Sequence, residues 1–106
     1  MSVELDAYII DTLMADLVGH DRQPSAFLVY LLLYRRTTAM GRSQLRVPLG
    51  ELAESTGLSK RTVQNALSWL QRRKLVTATR ASPTDVPAYR VHTPWKRGSA
   101  TAGVNL

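Results

Sequence analysis

A chain of 106 residues, 44% of them hydrophobic and none of them cysteine, can build one small core but neither a disulfide framework nor a thiolate metal site. Its net charge of +6 is unevenly spread. Residues 1–21 carry Glu4, Asp6, Asp11, Asp16 and Asp21 and no Lys or Arg (a balance of −5), whereas residues 22–106 carry all 14 Lys and Arg against Glu51, Glu54 and Asp85 (a balance of +11). A basic region of this strength suits a polyanionic partner, either nucleic acid or an anionic membrane. The opening MSVELDAYIIDTLMADLVGHD lacks the basic start and unbroken apolar run of a signal peptide. The longest apolar run, AFLVYLLLY at 26–34, is too short to span a bilayer, so a cytoplasmic protein without a membrane partner is expected.

The first periodic segment, Asp6 to Val18, places Ile10, Leu13, Met14 and Leu17 at the spacing of one helix face, with Asp6 as the N-cap. GHDRQP breaks that pattern, and Pro24 suits the first turn of a second helix running to about Ala39. This helix is apolar on nearly every side, through Phe27, Leu28, Val29, Tyr30, Leu31, Leu32, Leu33 and Tyr34. It reads as the central core helix, or as a core helix with a spare face in a subunit contact. Arg35 and Arg36 suit its C-terminal end. Gln44 to Val47 forms a short extended segment that Pro48 terminates, as at a sheet edge. Two close-set helices follow, Leu49 to Ser55 and Ser59 to Lys74. LVTATRA (75–81) and AYRVHT (88–93) then alternate as strands about the turn SPTDVP. Small and polar, the segment 98–106 reads as a flexible tail to a domain of residues 1–97. The expected order is α-α-β-α-α-β-β, mainly α with a small β-hairpin wing.

Chemistry concentrates in LGELAESTGLSKRTVQNALSWL. Gly57 stands where a tight turn needs positive φ, and Ser59 can accept the amide of Arg61 or Thr62 as the cap of the next helix. On a 100° wheel Val63, Ala66, Leu67 and Leu70 form the buried stripe. Arg61, Asn65, Ser68 and Arg72 lie opposite, flanked by Thr62 and Gln64. A DNA major groove admits one α-helix, and its base edges pair bidentately with Arg or Lys at guanine and with Asn or Gln at adenine. Arg61, Gln64 and Asn65 supply those types, while Ser59, Lys60 and Thr62 sit at the helix N-terminus, where phosphates bind. A solvated helix face also carries such residues, so the reading draws on the whole segment.

Residues 26–93 resemble bacterial winged helix-turn-helix DNA-binding domains, with LAESTGLSKRTVQNALSWLQRRKLV (52–76) close to an LAxxxGLSxRTVxxALxxLxxxGLV-like pattern. The likeness extends to phage and plasmid replication proteins and to small transcriptional regulators. It implies that the helix over 59–74 enters the major groove and that the hairpin over 75–93 forms the wing. Lys74 departs from the pattern, which usually has Gly before the first wing strand.

Arg80 and Arg90, placed on the wing near its SPTDVP tip, add phosphate or minor-groove contacts. Arg73 and Lys74 read as a solvated helix end. Trp69 borders the core stripe, and Trp95 pins the chain end to the domain. His20 and His92 lie far apart without metal-ligand spacing, and neither a phosphate loop nor a nucleophile motif is present, so no enzyme activity, metal or cofactor is expected. The expected role is sequence-specific binding of double-stranded DNA as a transcriptional regulator. An origin-binding replication module and a protein-interaction winged helix are the alternatives. The apolar excess of residues 6–39 adds the expectation of a homodimer through the N-terminal helices.

Overall fold

Asp6 opens the first helix by capping it, its Oδ1 accepting the backbone N–H of Tyr8 at 3.3 Å. The computed structural model describes residues 1–96; Arg97 and the tail expected over 98–106 lie outside the described residues. Residues 7–20 are helical (α1), with wide turns over Ile9–Leu13 and Ala15–His20 in which an N–H reaches back five residues. Those turns change which side chains face inward. Ile9, Leu13 and Leu17 are buried, whereas Ile10 and Met14, expected in the stripe, are 44% and 37% exposed. A turn closed five residues back takes up more chain than an α-turn, so the row kept in line is i, i+4, i+8.

Helix α2, Pro24–Arg36, starts on Pro24 and buries Ala26, Phe27, Val29, Tyr30, Leu33 and Tyr34. It stops three residues before the expected end because Thr37 leaves helical geometry and its buried hydroxyl donates to the carbonyl of Leu33 at 2.7 Å. Arg36, in the last turn, reaches Ser55 Oγ at 2.9 Å and Glu51 at 3.5 Å. A 3-10 turn, Thr38–Met40, and left-handed Gly41 lead to the short strand β1, Leu45–Arg46.

Helices α3, Leu49–Thr56, and α4, Lys60–Arg72, follow, then strands β2, Val76–Thr79, and β3, Ala88–Val91. The three strands form an antiparallel sheet in the order β1-β3-β2. The protein is thus mainly helical, with one small sheet.

A single hydrophobic cluster joins α1, α2, α3, α4 and the sheet. Tyr30 lies at its centre, fully buried, and its hydroxyl donates to the carbonyl of His92 at 2.8 Å. That bond spares the phenol the cost of burial without a partner, and burial holds its ionisation far above the ordinary range. Among the described residues no buried side-chain polar atom lacks a hydrogen bond. No helix among them is long and apolar enough to cross a membrane.

Candidate nucleic-acid interface

The approach to α4 is set by hydrogen bonds local in sequence. Gly57 adopts φ 79°, and its N–H returns to the carbonyl of Ala53 at 2.9 Å. Thr56 Oγ1 donates to the carbonyl of Leu52 at 2.8 Å and accepts the N–H of Leu58 at 3.3 Å, which ties the turn on its other side. Ser59 then caps α4 in extended geometry, its Oγ accepting the N–H of Thr62 at 3.1 Å and donating to Thr62 Oγ1 at 2.9 Å. One amide of the first turn is thereby satisfied, and the rest of the helix start stays open to an anion.

From that start the helix divides by face. Val63, Ala66, Leu67 and Leu70 are buried, and Arg61, Gln64, Asn65, Ser68 and Arg72 are exposed. Among the described residues, the side chains of Arg61, Gln64, Asn65 and Ser68 make no hydrogen bond or ion pair. Four side chains able to hydrogen-bond outward thus stand on a rigid helix with their capacity unspent. Thr62 differs: it is half-buried and its hydroxyl serves the cap. Lys60 is exposed but lies back along α3, its Cε close enough to Gly50 that a Cβ there would come within 3.3 Å. Gly50 leaves room for the lysine stem. Arg72 rests over the ring of Trp69, its guanidinium carbon 5.1 Å from the ring centroid.

The hairpin stands beside α4 across a groove of about 460 Å³. Gln64, Ser68 and Gln71 form one wall of the groove, and Arg80, Thr84 and Asp85 the other. Arg80 folds over the loop, its guanidinium donating to the carbonyl of Pro83 at 2.9 Å. Arg90 does not lie at the tip as expected. The register sets it opposite Thr77, toward the base of the hairpin, because the loop extends to Pro87 and Ala88 is the first paired residue of β3. There it borders a second concavity of about 710 Å³ with Lys74, Gln71, Thr77 and His92. Lys74 takes φ 60°, the left-handed geometry that usually favours glycine at this point.

Three contributors were not expected from the sequence. Gln71 continues the row of Gln64 and Ser68 at helical spacing, a signal present in the wheel. Asp85 places a carboxylate on the groove. Asp21, in the turn after α1, reaches α4: its Oδ2 accepts Trp69 Nε1 at 2.8 Å and an Arg73 guanidinium nitrogen, and its Oδ1 meets His20 Nδ1 at 3.0 Å. Burial alone would raise the Asp21 pKa, but the hydrogen bonds from His20 and Trp69 and the Arg73 charge outweigh it and hold the carboxyl below the ordinary aspartate range. Nothing in the sequence signals a contact that spans 48 and 52 residues.

No protein-family model matches the chain, and neither a curated protein nor a solved structure matches it. Among the described residues no group of three or more His, Asp or Glu is placed to hold a metal ion.

Proposed function

We propose that the chain is a winged helix-turn-helix domain that binds double-stranded DNA sequence-specifically as a transcriptional regulator. The reading is carried by the outer face of α4, where Arg61, Gln64, Asn65 and Ser68 project without intramolecular partners from a helix anchored by its cap and apolar stripe. Arg61, Gln64 and Asn65 are the side-chain types that pair with purine edges, so α4 lies in the major groove and Arg61, Gln64, Asn65 and Ser68 choose the bases. Ser59, Lys60 and Thr62 at the helix start, and Arg72 further along, meet phosphates. Arg80 sits on the hairpin wall and Arg90 at its base, so the wing adds backbone contacts at two levels. Neutralised phosphates release counterions, which makes affinity fall steeply with salt.

Fluorescence anisotropy with random duplex DNA across a salt series, followed by selection from a random-sequence pool, tests this. A steep salt slope and an enriched motif are expected. Salt-dependent binding without any enriched motif would remove the sequence-specific part, and absence of binding at low salt would favour the protein-interaction reading instead. An enriched motif found only at replication origins would transfer the role to origin recognition.

A homodimer through the N-terminal helices is a separate proposal, favoured by the exposed row Ile10, Met14 and Val18 on α1. Asp11 flanks that row, so like charges approach in a two-fold pairing and salt screens their repulsion. Self-association would therefore tighten as salt rises, opposite to DNA binding. A monomeric mass by light scattering at micromolar protein and high salt would remove the dimer.

A further inference from the structure

The geometry points to Asp21 as a positioning residue for DNA binding: through the Trp69 indole it holds Arg72 where that side chain meets a phosphate. This inference rests on the DNA-binding reading and adds a residue from outside the interface to it.

Asp21 belongs to the turn between α1 and α2, and its side chain is only 6% exposed. Its partners come from two directions. Trp69 and Arg73, one turn apart on α4, both donate to Oδ2, while His20 stands at Oδ1 from the turn itself. Trp69 therefore has its indole edge fastened to a carboxylate, and the 2.8 Å bond narrows the orientations open to the ring. The face of that ring carries the guanidinium of Arg72 at 5.1 Å. Arg72 is exposed and lies on the outer side of α4 with Arg61 and Asn65. A long side chain in this position otherwise samples many rotamers, and ordering it on binding opposes affinity. Stacking on a fixed indole orders it beforehand. Held by Asp21, Arg73 reaches toward the turn between α1 and α2, so one of two consecutive arginines is committed to the fold and the other to the interface.

The inference predicts the opposite of simple electrostatics. Deleting a negative charge near a polyanion should tighten binding, and releasing Arg73 should add a further cation to the footprint. If Asp21 positions Arg72, its neutral isostere must instead weaken binding. Asp21→Asn keeps the shape but loses the charge that holds Arg73 and fixes the indole.

The test measures the Kd of the wild-type protein, Asp21→Asn, Arg72→Ala and the double variant for one duplex across a KCl series, with active fractions set by stoichiometric titration. Asp21→Asn is expected to weaken binding about fivefold, roughly one hydrogen bond's worth. It should lower the log–log salt slope by about 0.9, one phosphate contact. The weakening should be lost in the Arg72→Ala background, leaving no change or the tightening that the removed charge gives by itself. A loss of stability alone changes the active fraction and leaves the slope unmoved. Unchanged or tighter binding by Asp21→Asn in the otherwise wild-type protein, an unchanged or steeper slope there, or a weakening that persists without Arg72 overturns the assignment. Should Asp21→Asn fail to fold, Trp69→Phe carries the test. It retains a ring beneath Arg72 and removes the N–H, and the same weakening and slope change are expected; wild-type behaviour overturns the assignment. Failure of the wild-type protein to bind any duplex sinks the DNA-binding reading itself, and this inference with it. Wild-type binding that Asp21→Asn leaves intact sinks this inference alone.

Discussion

Trp95 lies flat against Tyr8, their ring centroids 4.5 Å apart and their planes within 12° of parallel. The pair joins the chain beyond the last strand to the first turn of α1. Trp95 Nε1 also donates to Asp6 Oδ2 at 2.9 Å, and Tyr30 closes on the same indole at 6.3 Å between centroids. The capping carboxylate of α1 thus serves two elements, its own helix and the segment after β3.

Trp95→Ala should lower unfolding stability by about 2–4 kcal/mol, toward the lower end of the range for deleting a buried aromatic because the residue is only partly buried. Equilibrium urea denaturation measures it. A change within about 0.5 kcal/mol, the scale of ordinary surface substitutions, would show that the strap contributes little. Trp95 packs against Tyr8 and Asp6, away from the outer face of α4, so on the proposed reading the folded variant keeps its DNA affinity.

Replacing Lys74 by glycine should stabilise the protein by about 1 kcal/mol, because φ 60° costs an L-side chain and not glycine. Thermal and chemical denaturation read the gain. A loss of stability on Lys74→Gly would mean that the lysine stem contributes more by packing over Gln71 and Thr77 than its backbone loses.

Asp6 and Asp21 both titrate below the ordinary aspartate value of 3.8 in the folded protein. For Asp6 the indole N–H of Trp95 is the leading cause, followed by the Tyr8 amide, with Lys96 3.8 Å away adding charge. Because the unfolded chain takes up these protons first as pH falls, the stabilisation is complete above the ordinary value. It drains as pH drops through the lower, folded-state values. Stability measured from pH 6 to pH 2 should therefore fall steeply below about pH 4, and Asp21→Asn should flatten that fall. An identical pH profile for Asp21→Asn and the wild-type protein would show that Asp21 is no better held folded than unfolded.

On the proposed DNA-binding reading, Asn65→Ala should cost about 1–3 kcal/mol on the selected motif and relax preference at one base pair. Competition binding with a panel of single-base variants resolves this. Equal weakening on every sequence would make Asn65 a backbone contact.

How far the amino-acid sequence predicts this structure depends on how local each signal is. Ser59, Gly57 and the stripe Val63, Ala66, Leu67 and Leu70 act through neighbours a few residues away, and the structure has them in the expected conformations. Expectation and structure part where geometry leaves a standard period and where pairing or packing joins residues far apart. An α-helical spacing puts Ile10 and Met14 inside, whereas the wider turns of this segment turn them outward. The start of the last strand at Ala88 is legible, but Arg90 pairs with Thr77, two pairs in from the Thr79–Ala88 pair that closes the loop, and only the register shows how far from the tip that puts it. The Asp21 contacts with Trp69 and Arg73 join residues far apart in the chain, so they follow from how α1 and α2 pack on α4. The exposure of Arg61, Gln64, Asn65, Ser68 and Arg72 is legible in the wheel, while the turn of Thr62 into the cap and the support behind the face are not.

Gly57 has its own consequence. A Cβ built on it meets nothing within 4 Å, yet its φ is 79°. The turn ahead of α4 therefore demands a hand, not a size. L-alanine there would fit the space and oppose the backbone, whereas D-alanine, incorporated by chemical synthesis, prefers that φ and would also restrict the unfolded chain. The mirror-image residue should melt higher than the natural glycine, and its L-enantiomer lower, with two proteins of identical composition separated only by the chirality of one carbon.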